Sequence, residues 1–135
     1  MKPDQIACVT ASFAQLVLVE DTLAALFYRR LFMLEPSFRG MFGADMRIQG
    51  RKFSDMLYFI VGRLHDHNGL LQEIQEHGRR HHAYGVRAEH YAPVGAALLW
   101  AIEQILNERY TRDVEQAWAE LYRLIATTMQ EAATQ

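Results

Sequence analysis

The chain has 135 residues, half of them hydrophobic and only three of them proline, with a formal charge of −2. That is the size of one domain around one core, and so small a net charge offers no electrostatic reason to expect a nucleic-acid partner. The single cysteine, Cys8, excludes an internal disulfide and any CxxC pair; set among apolar neighbours at helical spacing, it reads as a buried structural thiol.

Nearly every segment follows the helical period, and none alternates as a strand. A first helix begins near Pro3 and Asp4 and sets Ile6, Val9, Phe13, Leu16 and Val17 on one face. A second runs from about Asp21 to Met33 with Leu23, Leu26, Phe27 and Leu31 apolar, and Glu35-Pro36 breaks it because proline disfavours helical geometry in the residue before it. A short turn over Pro36 to Met41 leads to Phe42-Gly43, a loop signal. The next helix spans about Arg47 to Leu64, its stripe made by Phe53, Met56, Leu57, Ile60, Val61 and Leu64, and His65-Asp66-His67-Asn68-Gly69 marks its end. A weaker helix covers Leu70 to about His82. Val94, Ala97, Leu98, Ala101, Ile102 and Ile105 define another from about Glu89 to Asn107, with Pro93 in its first turn, where a missing N–H costs little. Thr111 is the expected N-cap of the last helix, which carries Val114, Trp118, Leu121, Leu124, Ile125 and Met129.

The expectation is one all-α domain over residues 1–135 with six to seven helices. Pattern alone fits a helix bundle equally well. No apolar run approaches the ~20 residues of a membrane-spanning helix, and MKPDQIACV lacks the apolar core and cleavage site of a secretory signal. A cytoplasmic protein without direct membrane insertion is therefore expected.

Six histidines carry the candidate chemistry. His77 and His81 stand four apart and share a helix face, a spacing that chelates zinc when a third or fourth ligand joins. His65 and His67 fall at a helix end, where a cation suits the dipole, and His82 and His90 read as surface or packing residues. His81 opens the run HHAYGV, in which Gly85 permits a chain reversal. A haem requires an imidazole held on a helix beside an apolar slot, with an acceptor for the other ring nitrogen, and the carbonyl of His77 is in reach. Spacing alone leaves a haem ligand, a zinc pair and a half-exposed helix histidine all open. Tyr28 and Gln49 are polar exceptions on apolar stripes, and each needs a hydrogen-bond partner if buried.

Several stretches together resemble the bacterial globins related to the haem domain of flavohaemoglobins. LFYRRLF (26–32) and EPSFRGMF (35–42) resemble that family's tyrosine-bearing second helix and its proline-to-phenylalanine corner; IQGRKF (48–53) resembles the start of its distal helix. GRRHHAYGVRAEHYAPVGAALLWAI (78–102) resembles the proximal-histidine segment, and WAELYRLIA (118–126) the last helix. The resemblance implies a globin fold around haem b, with His81 as proximal iron ligand and His82 not a ligand. It implies Phe42 packing on the haem face, Tyr28 and Gln49 as the distal pair that hydrogen-bonds dioxygen, and Phe53 lining the distal pocket. Lys52 and Arg80 fall where they can partner the haem propionates. Tyr91 matches a proximal tyrosine that supports the histidine together with a glutamate, but that glutamate's position falls on Ala133. Glu131 is two residues away, nearly the opposite helix face.

The implied function is reversible binding of dioxygen, and of nitric oxide and carbon monoxide, for oxygen transport or nitric oxide detoxification. Nothing in the chain resembles flavin or nicotinamide domains, so turnover as a nitric oxide dioxygenase would require an external reductase. A haem-based sensor or haem-handling protein acting through a partner is the alternative.

Overall fold

The computed structural model describes residues 1–43 and 45–134. Six α-helices and short 3-10 turns account for the fold, with no strand among the described residues. Helix α1 (Pro3–Leu16) starts on a proline, whose missing N–H is one that a helix start leaves unpaired anyway. A 3-10 turn over Val17–Val19 bends the chain into α2 (Glu20–Leu34). Glu35 closes α2 by donating its N–H to the Leu31 carbonyl at 2.9 Å, and the turn Pro36–Met41 then drives Phe38 into the core. Asp45 caps α3 (Met46–Gly62) by accepting from the Arg47 N–H at 3.0 Å.

Helix α4 spans His67–Ala83 and begins three residues earlier than its periodicity predicts. Asp66 is its N-cap and accepts from the Gly69 N–H at 3.2 Å. The stretch expected to end α3 thus starts α4. His67 occupies the first turn of a helix, at the positive rather than the negative end of a dipole, which corrects its expected setting. Helix α5 (Tyr91–Leu106) follows a 3-10 turn over Ala88–His90, and α6 (Arg112–Ala133) starts at Thr111, whose hydroxyl accepts from the Val114 N–H as its sequence predicts.

Helix α6 is the spine, packing along α4 and α1, while α2 packs on α5 and α3 on α2. Trp118 on α6 is fully buried, and its indole N–H donates to Ser12 Oγ on α1 at 2.9 Å. Ser12 in turn donates to the Cys8 carbonyl at 2.8 Å. Cys8 itself is half-buried rather than buried, and burial, followed by the nearby Asp113, raises its thiol pKa. The helical stretch Pro3–Leu34 is long and apolar enough by length and composition to cross a membrane. Here it is bent at Val17–Val19, and its apolar residues Val9, Phe13, Leu16, Leu23, Phe27 and Leu31 face the core.

The packing scheme leaves α3 and α4 without a shared interface of any extent. Each rests on a different layer, α3 on α2 and α1, α4 on α6. Joined by a short corner and packed on separate partners, α3 and α4 are the candidate walls of a site.

Candidate functional site

One wall is the last turn of α4. Gly85, at φ +100°, adopts a backbone conformation that costs glycine alone no steric penalty. Around it the Val86 N–H donates to the His81 carbonyl and the Gly85 N–H to the His82 carbonyl, both at 3.0 Å. This paired closure satisfies carbonyls that a helix end would leave free, and it fixes the turn bearing His81. The side chain of His81 is half-buried, and its Nδ1 lies 2.7 Å from the His77 carbonyl. Nδ1 is therefore the protonated nitrogen that donates, and the lone pair on Nε2 is left for another partner. His82 points outward and is exposed.

His77 does not complete a metal pair with His81. Its carbonyl, not its ring, meets His81, and the ring centroids stand 6.4 Å apart. Its Nδ1 lies 3.0 Å from Arg80 Nη2, which donates to it. Burial, then the positive charge of Arg80, lowers the imidazole's pKa and keeps the ring a neutral acceptor. No group of three or more His, Cys, Asp or Glu side chains forms a metal cluster among the described residues.

The other wall comes from α2, α3 and the corner between them. Tyr28 is buried, with 8% of its surface exposed, and burial pushes its phenol up to about 12. Its hydroxyl donates to the backbone carbonyl of Gln49, not to the side-chain amide, at 3.3 Å. That is long for an O–H···O bond, which prefers about 2.7–2.8 Å. The Gln49 amide instead lies over Gly43, where an added Cβ would come within 3.2 Å of Nε2. Aromatic rings enclose Tyr28: Phe42 edge-on at 5.4 Å, Phe53 at 6.0 Å and Phe32 at 5.9 Å between centroids. Phe53 stacks on Phe27 at 4.4 Å, which ties α3 to α2. Of the residues expected at the distal side, Phe42 and Phe53 pack on the Tyr28 ring, Gln49 meets it through its backbone alone, and Phe32, one turn on from Tyr28, joins them without having been expected.

The side chains of the remaining expected residues do not join these groups. Lys52 is exposed and makes no ion pair among the described residues. Arg80 is exposed and engaged with His77. Tyr91 opens α5, and its carbonyl accepts from the Tyr122 hydroxyl at 2.6 Å. Burial raises the Tyr91 phenol, yet no carboxylate hydrogen-bonds that hydroxyl among the described residues. It lines an open groove of about 310 Å³ with Tyr122, Arg123 and Gln130. His90 is a packing residue, its ring edge-on to Phe38 at 4.9 Å and its Nδ1 accepting from the Arg87 N–H.

A family model described as Globin matches residues 25–129. The chain belongs to the globin family. This globin is 33% identical over 110 residues to a flavohaemoprotein of Chromobacterium violaceum, an alignment covering 79% of this chain and 27% of that protein. It is 30% identical over 129 residues to a flavohaemoprotein of Bordetella pertussis, covering 93% and 32%. The chain thus spans about a third or less of the length of these relatives. Among solved structures it is similar to an engineered carbene transferase from Rhodothermus marinus, described as a candidate nitric oxide dioxygenase. That match has a TM-score of 0.87 and 25% identity over 99% of this chain and 94% of that one. A hexacoordinated haem protein from an anhydrobiotic tardigrade shares the fold at a TM-score of 0.90 and 13% identity, covering 100% and 96%.

Membership of the globin family implies a haem as the group held, and haem-based gas binding. The residues present fit it. His81 is anchored through Nδ1 with Nε2 available, α3 and α4 pack on separate partners, and the Tyr28 phenol is ringed by phenylalanines.

Proposed function

We propose that this globin holds haem b through His81 and reversibly binds dioxygen, nitric oxide and carbon monoxide, with nitric oxide dioxygenation as its enzymatic use when an external reductase supplies electrons. The observation that carries the reading is the anchoring of His81: the His77 carbonyl accepts a hydrogen bond from Nδ1–H, which turns Nε2 away as the nitrogen that can bind a metal, on a capped helix end. Bound haem would supply a redox-active iron with affinity for diatomic gases.

The protein's own contribution lies in the opposite wall. A phenol that ionises only near pH 12 remains a proton donor throughout physiological pH. Its present bond to the Gln49 carbonyl is long, so turning that O–H toward a polar ligand sacrifices little. Phe42 and Phe53 give the phenol apolar surroundings, and a hydrogen bond made in apolar surroundings is stronger than one made in water. Net nitric oxide dioxygenation is NO + O₂ + e⁻ → NO₃⁻, and each turnover consumes one electron that a reductase would supply. The likeness to the Rhodothermus marinus protein and to flavohaemoproteins supports this use.

Purified protein reconstituted with haemin tests both levels. His81→Ala is expected to abolish stable haem retention, whereas His82→Ala retains it with an unchanged Soret band. Retention by both variants would remove His81 from the role. With a reductant and excess dioxygen, the native protein is expected to form many equivalents of nitrate per haem. A yield that stops at one equivalent would exclude the catalytic use and leave reversible gas binding.

A further inference from the structure

We propose that Gly78 is a positioning residue for the proximal ligand: by letting α4 rest directly on the α6 backbone at Met129, it sets where His81 stands. The proposal rests on His81 being the iron ligand. Gly78 is buried, and a Cβ built on it would lie 2.6 Å from both the Cα and the carbonyl oxygen of Met129, and 3.0 Å from its carbonyl carbon. These are backbone atoms of a helix interior, and they cannot rotate aside as a side chain can. Carbon atoms in ordinary contact are about 3.5–4.0 Å apart. Restoring that separation after adding a methyl would move the α4 axis away from α6 by about 1 Å.

The displacement falls on the residues that orient the ligand. Gly78 directly follows His77, whose carbonyl holds His81 Nδ1, and it precedes His81 by less than one helical turn. Helical hydrogen bonds make that turn stiff, and the closure at Gly85 holds its far end. His81 would hold the iron, and coordination distances vary by only about 0.2 Å, so a shift of about 1 Å in its turn would strain that attachment. Gly69 and Gly95, the other glycines with so close a contact, differ in kind: a Cβ on Gly69 would meet the Asp66 carboxylate and one on Gly95, in α5, the ring of Tyr122, side chains in both cases.

The test uses haem-loaded protein and the iron–histidine stretching band, recorded by resonance Raman immediately after photolysis of the carbon monoxide complex. Gly78→Ala is expected to shift that band and to speed haemin transfer to an acceptor about tenfold or more. Val9→Ala, at a fully buried position of α1, serves as a control that lowers thermal stability without moving the band. An unmoved band in Gly78→Ala, or an equal shift in Val9→Ala, overturns the proposal. Should the alanine variant fail to fold, a crystal structure of the native haem-bound protein decides: Gly78 has to remain on the Met129 backbone, with no room for a Cβ. A gap there overturns the proposal as well. Loss of the band's dependence on His81, seen as haem retention by His81→Ala, would instead sink the ligand assignment itself.

Discussion

At the scale of single residues, Tyr28 shows how burial and hydrogen bonding divide the work. Removing its hydroxyl leaves the edge-on ring contacts with Phe42 and Phe53 intact, because those contacts are aromatic. The lost bond to the Gln49 carbonyl is long and weak, so Tyr28→Phe is expected to cost little stability. A hydrogen bond from the phenol to bound dioxygen is worth ~1–1.5 kcal/mol, about a factor of ten in affinity. The expected outcome is an approximately tenfold faster dioxygen dissociation in Tyr28→Phe, measured by stopped-flow displacement with carbon monoxide. An unchanged rate would mean that the phenol keeps its backbone partner when ligand is present. Gln49 has a weaker claim in this structure, since its amide lies over Gly43 rather than beside the Tyr28 hydroxyl.

At the scale of helices, the amphipathic stripes were legible and the starts and crossings less so. Trp118, Leu121, Ile125 and Met129 were expected on the buried face of α6 and are there. The start of α4 was not legible, because Asp, Asn and Gly serve equally in loops and in N-caps, and Asp66 does the second. Spacing could not separate His81 from a zinc pair; the resemblance of the flanking HHAYGV segment to globins makes it the proposed haem ligand, and the His77 carbonyl accounts for how its ring is held. The contact of Gly78 with Met129 leaves no trace in periodicity, since its partner is backbone on a distant helix.

The bond that ties α1 to α6 was equally hidden: Ser12 sits as one small polar residue among apolar ones, and only the fold places Trp118 over it. Ser12→Ala would leave the Trp118 indole N–H buried without an acceptor, at a cost of about 1–3 kcal/mol. The expected result is a lower urea midpoint with an unchanged slope. An unaltered midpoint would show that water or another carbonyl replaces the hydroxyl.

At the scale of the whole molecule, the buried tyrosines couple the fold to alkaline pH. An ordinary tyrosine ionises near 10.0, whereas burial pushes Tyr28 up to about 12, and burial with Glu115 and Glu103 pushes Tyr110 up to about 12. Tyr122 is also raised, chiefly by burial. Below pH 10 both folded and unfolded chains keep these protons, and the tyrosines impose no pH dependence. Between pH 10 and about 12 the unfolded chain releases them while the folded chain holds them, so rising pH favours unfolding. Each such tyrosine lowers stability by up to about 1.4 kcal/mol per pH unit in that window. Tyr28, the most buried of the three, accounts for about 2–3 kcal/mol over the whole interval; the half-buried Tyr110 contributes less than its shift suggests, because solvent screens it. Urea unfolding at pH 9, 10 and 11.5 is expected to give falling midpoints above pH 10. The decline should be shallower in Tyr28→Phe, which has no proton to lose. Equal declines in the two proteins would mean that the Tyr28 phenol reaches solvent in the folded state, and the apolar distal wall formed by Phe42 and Phe53 would have to be abandoned with it.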